Sequence, residues 1–91
     1  MRIIDDKHQT SGDITRLDGT PVPEDEELIL FRSRDKLLIP LLEHYKQLCI
    51  NAGSPDDQLA VLQKRIDAIK SWQENNQDKL KVPGVNPQPL Q

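Results

Sequence analysis

Apolar residues along this chain change their spacing twice. Up to residue 27 they stand singly or in pairs among polar neighbours, as at Ile3-Ile4, Ile14, Leu17 and Val22. Leu28-Ile29-Leu30-Phe31 then form a continuous run, which predicts a strand over 28–32 covered on both faces. Beyond it, apolar positions recur at intervals of three and four. Leu38, Leu41, Leu42, Tyr45, Leu48, Cys49 and Ala52 make one stripe, predicting an amphipathic helix over 34–52. Ser33 or Asp35 can cap its start and Gly53 its end, and Pro40 either kinks it or marks where it begins. Leu59, Leu62, Ile66, Ile69 and Trp72 or Gln73 repeat in the same way, predicting a second helix over 55–76. Its start carries the clearest local signal in the chain. Ser54 can cap, Pro55 suits the first turn, and Asp56 and Asp57 sit at the positive end of the dipole. Asn75-Asn76 end it.

Only Gly53 and Ser54 separate the two predicted helices, so they must fold back on each other. The fold class expected is therefore mainly α: an antiparallel helical hairpin with a short N-terminal β element and an extended C-terminal tail. Residues 1–13 read as a loose arm or short edge strand, and Ile14-Thr15-Arg16-Leu17 as a short strand leading to a turn at Asp18-Gly19. Pro21 and Pro23 bar regular pairing on either side of Val22. The organisation expected is a single small domain over 1–78: an acidic arm and β element over 1–33, then the two helices. A flexible tail over 79–91 contains Pro83, Pro87 and Pro89.

Composition sharpens this picture. The chain has 91 residues, 30% of them charged and 35% hydrophobic, with a net charge of -3. An acidic balance excludes a protein that coats nucleic acid through general basicity. No apolar run approaches the length of a membrane span, and the first ten residues lack the apolar core of a leader peptide. With one cysteine, Cys49, no internal disulfide forms, and a cytoplasmic setting is expected. Aromatic residues are 3% of the chain, and a domain of this size buries only roughly 60% of its unfolded surface. Self-association is the natural remedy. A two-fold homo-oligomer is expected, using Leu28–Phe31 and the outer flank of a helix near Leu37 and Val61.

Candidate chemistry is sparse. Cys49 lies on the apolar stripe and reads as a structural thiol, His44 as a surface residue and His8 as solvated. Neither Asp5, Asp6 and His8 nor the run Glu24–Glu27 has the spacing of a metal site. No catalytic residue, metal or cofactor is expected. The second helix interleaves Lys64, Arg65 and Lys70 with Asp67 and Glu74, a solvated mixed-charge face. The remaining signal is Arg32-Ser33-Arg34-Asp35-Lys36 at the entrance to the first helix. Arginine forks suit phosphate and carboxylate, and a helix start adds free N–H groups, so Arg32, Ser33, Arg34 and Lys36 are the candidate ligand-binding residues. The opposing reading pairs these cations with Glu24–Glu27 or with another subunit.

The stretch from Pro23 to Asp35, with Trp72-Gln73 closing the hairpin, resembles small phage and prophage accessory proteins. That resemblance implies a viral accessory protein acting in the host cytoplasm by binding rather than catalysis. The expected function is non-enzymatic counter-defence, capturing a host protein or a phosphate-bearing nucleotide signal. The alternative is a protein–protein interaction or assembly module with no small-molecule ligand.

Overall fold

A computed structural model describes residues 1–85, and the last part of the expected tail, 86–91, lies outside the described residues. The architecture is mainly α, an antiparallel helical hairpin with a short N-terminal β element. The chain divides into two compact units, Met1–Phe31 and the residues from Arg32 onward.

In the first unit, β1 (Arg2–Ile3) pairs antiparallel with β2 (Gln9–Thr10), Arg2 opposite Thr10 and Ile3 opposite Gln9. The turn between them is organised by Asp5. Its carboxylate accepts the Lys7 N–H at 2.9 Å and lies 2.7 Å from the His8 ring nitrogen Nδ1. The arm at 1–13 is thus a small hairpin. The expected strand at 14–17 reduces to one bridge, Thr15 opposite Pro21. That bridge flanks a turn in which Gly19 takes a φ of 89°, open to glycine at little cost. Arg2 reaches the following loop, its guanidinium donating to the carbonyls of Val22, Pro23 and Glu26.

Residues 28–32 are not a strand. A strand needs a neighbouring backbone, and the Leu30 N–H donates instead to the Asp5 carboxylate at 2.9 Å. Leu28 is half-buried, while Ile29, Leu30 and Phe31 are exposed.

In the second unit, α1 (Leu38–Asn51) and α2 (Asp56–Asn75) form the hairpin. The first helix starts four residues later than the stripe suggests, because Asp35 and its neighbours fold into two successive turns first. Pro40 therefore falls in the first turn, where its missing N–H has no partner to lose. At the far end Gly53 adopts φ 86°, with Gly53 N–H on the Ile50 carbonyl at 3.1 Å and Ser54 N–H on the Cys49 carbonyl at 3.0 Å. This is a Schellman stop, and four residues, 52–55, reverse the chain between the helices. Ser54 does not cap α2. Pro55 holds that position in extended conformation, and its carbonyl accepts the N–H groups of Gln58 and Leu59. Asn76 closes α2, its side-chain amide donating to the Trp72 carbonyl at 2.8 Å.

The core lies between the helices. Ile66 is fully buried and Leu38 is 3% exposed, with Leu42, Cys49, Leu59, Leu62, Ile69 and Trp72 half-buried around them. One edge of the pair is polar: Lys70 meets Glu43 at 2.8 Å, and Lys46 donates to Gln63 at 2.6 Å. The stripe of α1 is not a single buried face. Leu38, Leu42 and Cys49 turn inward, but Leu41, Tyr45 and Leu48 are 44–54% exposed on the adjacent face. After α2 a short 3-10 turn, Gln77–Lys79, returns the chain to the start of α1, where Lys81 bridges Asp35 in parallel. Lys81 of the expected tail is therefore held against the turn that precedes α1.

Candidate functional site

The backbone bridge between Asp35 and Lys81 builds the candidate site. The Lys36 N–H donates to the Lys81 carbonyl and the Lys81 N–H to the Arg34 carbonyl, both at 2.9 Å. Asp35, 8% exposed, is the pivot of the turn. Its N–H closes on the Arg32 carbonyl at 3.0 Å, its own carbonyl accepts the Leu38 N–H at 3.1 Å, and its carboxylate accepts the Leu37 N–H at 2.8 Å. Gln73 of α2 clamps the turn from below, its side-chain amide donating to the carbonyls of Ser33 at 2.9 Å and Asp35 at 3.1 Å.

This arrangement brings Arg32, Ser33, Arg34 and Lys36 into one turn just ahead of α1, but not as an extended segment with alternating sides. Residues 32–38 form tight turns instead. The N–H groups from Asp35 to Leu38 are all engaged within the chain, so the start of α1 does not hold the row of free donors that an anion would use. Asp35 itself supplies the negative charge there. What the structure adds is a cation that sequence reading assigned to a loose tail. The bridge brings the backbone of Lys81 beside those of Arg34 and Lys36, and Lys79 precedes it by two residues, its ammonium on Asn76 at 3.2 Å. The signal for this was faint: a pair of lysines and no acid in the last thirteen residues.

Arg32, Lys36 and Lys81 are exposed, and Arg34 and Ser33 are half-buried. Among the described residues the ion pairs are His8–Asp5 and Lys70–Glu43, so none of these four cations is committed to a carboxylate. The nearest acid along the chain, Asp35, is turned to its own backbone. The turn therefore presents cationic side chains, including two guanidinium forks, on a backbone fixed by seven hydrogen bonds across three segments.

The other candidates fall elsewhere. His44 is exposed on α1. Cys49 is half-buried in a shallow groove of about 280 Å³ between the helices, with Tyr45, Leu59, Val61, Leu62 and Arg65. His8 is held by Asp5 rather than solvated, a contact readable only as a three-residue separation within a turn. No three His, Cys, Asp or Glu side chains gather in metal-binding fashion among the described residues, and none of their helices is long and apolar enough to cross a membrane. Comparison with family models, curated proteins and solved structures gave no match.

Proposed function

We propose that this chain is a non-enzymatic binding protein that captures a phosphate-bearing small molecule at the Arg32–Lys36 turn. The observation that carries the reading is the Asp35–Lys81 bridge, which adds a fourth uncommitted cation to Arg32, Arg34 and Lys36. Recognition rests on the side chains, with Ser33 as a hydroxyl donor, because the nearby N–H groups serve Asp35 and Lys81. Arginine forks match phosphate oxygens in pairs, and a braced turn loses little freedom when it binds. Capture of a nucleotide signal is the form this activity takes in a counter-defence protein, the setting implied by the resemblance to phage accessory proteins. The net charge of -3 argues for a compact anion over a nucleic-acid strand.

Thermal unfolding at low salt, with cyclic dinucleotides, ADP-ribose and inorganic pyrophosphate as probes, tests this. Ligand at a hundred times its Kd stabilises by about 2.7 kcal/mol, a shift of ten degrees or so for a domain this small. Arg34→Ala and Lys81→Ala should each remove the shift while leaving the unliganded midpoint within a few degrees. No shift with any probe, or a cluster whose neutralisation unfolds the protein, leaves the interaction-module alternative with its cations purely structural.

A further inference from the structure

We infer that the outer face of α1 is a two-fold interface between copies of this chain. The inference stands apart from the anion site. Leu37, Leu41, Tyr45 and Leu48 follow one another at steps of four, four and three, which places them on one face of α1. They are 54%, 44%, 54% and 50% exposed. Val61, 59% exposed on α2, continues the same surface across the groove it shares with Tyr45. The inward face of α1 is already occupied by α2, so this second apolar face has no cover among the described residues of its own unit.

Area, symmetry and charge all point to a second copy as the occupant. Half the surface of five large apolar residues is roughly 500 Å² per chain, and doubled across an axis it reaches the ~1,000 Å² at which an interface holds. Tyr45 lies at the middle of α1. A two-fold axis beside it, between positions 44 and 45, sets Leu41 opposite Leu48 of the second copy and Leu37 opposite Ala52, so the ridge is complementary to itself with the helices antiparallel. The residues bordering the ridge on its solvent side are Pro40, His44, Gln47 and Asn51, with no Asp, Glu, Lys or Arg among them. Two such helices approach without like-charge repulsion, whereas the charged pair Glu43–Lys70 sits on the opposite edge.

Sedimentation velocity of the full chain from about 1 to 300 µM should show the mass of two chains, and the thermal midpoint should rise with concentration. Leu41→Glu and Tyr45→Glu should each give the mass of one chain. Asp67→Lys, a charge reversal on the exposed side of α2 away from the ridge, should remain paired. If the glutamate variants fail to fold, cross-linking decides. Tyr45→Cys in a Cys49→Ser background should form a disulfide with its own copy on mild oxidation, because the residue sits beside the axis. A wild-type chain that stays single at all concentrations overturns the proposal. So does a pair that survives both glutamate variants, or a Tyr45→Cys variant that fails to cross-link.

Discussion

The carboxylate of Asp5 accepts the backbone N–H of Leu30 at 2.9 Å, across twenty-five residues. That bond does for the 28–31 run what a neighbouring strand would otherwise do. It also holds the Asp5 carboxyl at about 2, below its ordinary 3.8, with the Leu30 N–H the largest cause, followed by the Lys7 N–H and then His8. A depressed carboxylate stabilises the fold fully above its unfolded value, and that contribution is lost as pH falls from about 4 towards 2. The amide shift of Leu30, followed by NMR against pH, should titrate with a midpoint near 2. Asp5→Asn should abolish that titration, and a midpoint close to 3.8 would show the bond to be absent in solution.

Ile66 is the one fully buried large side chain among the described residues, and it sits at the centre of the α2 seam. Ile66→Ala should cost about 3 kcal/mol, the transfer loss together with the cavity left behind. Leu62, half-buried, should cost about half as much on truncation to alanine. Urea unfolding measures both, and an Ile66→Ala loss no larger than that of Leu62→Ala would mean the seam is rotated.

The phase of α2 was legible because its largest apolar residues, Val61 apart, occupy one narrow stripe. Leu59, Leu62, Ile66 and Ile69 are the residues that turn to α1. The phase of α1 was not. Its apolar residues cover two adjacent faces, and periodicity cannot tell the one that meets α2 from the one left outside. The run at 28–31 has strand composition, but composition does not supply a partner strand, and Asp5 took the Leu30 N–H instead. The cationic turn was visible as Arg32, Ser33, Arg34 and Lys36. Its brace was not, since Gln73 and Lys81 lie some forty residues away and reach it only because the hairpin reverses direction.

Gly53 makes that reversal. Its φ of 86° lies in the left-handed region, and a Cβ added there would meet nothing within 4 Å. The cost of Gly53→Ala is therefore conformational rather than steric crowding, about 1 kcal/mol, with Gly53→Asn milder because asparagine tolerates that region. Thermal or urea unfolding of the two variants gives the ranking. An alanine variant as stable as the parent would mean the chain turns by another route.

Gln73 ties the turn to α2, and its substitution separates the brace from the cations. Its amide donates to the carbonyls of Ser33 and Asp35, and Asp35 retains the Leu38 N–H while Ser33 has no other donor among the described residues. Gln73→Ala should cost about 1–2 kcal/mol, since a half-buried carbonyl loses its partner. It should also weaken pyrophosphate binding without removing a charge, because a loosened turn must be ordered again on binding. Gln73→Glu is the sharper probe. An ionised carboxylate facing two carbonyl oxygens is repelled, which raises its pKa in the folded state, whereas the protonated acid can donate as the amide does. The variant should thus gain stability as pH falls from 7 towards 5, the opposite sense to Asp5 at lower pH. Denaturant midpoints of parent and variant across that range decide the matter: a parallel pH dependence would mean the Gln73 amide does not hold the turn.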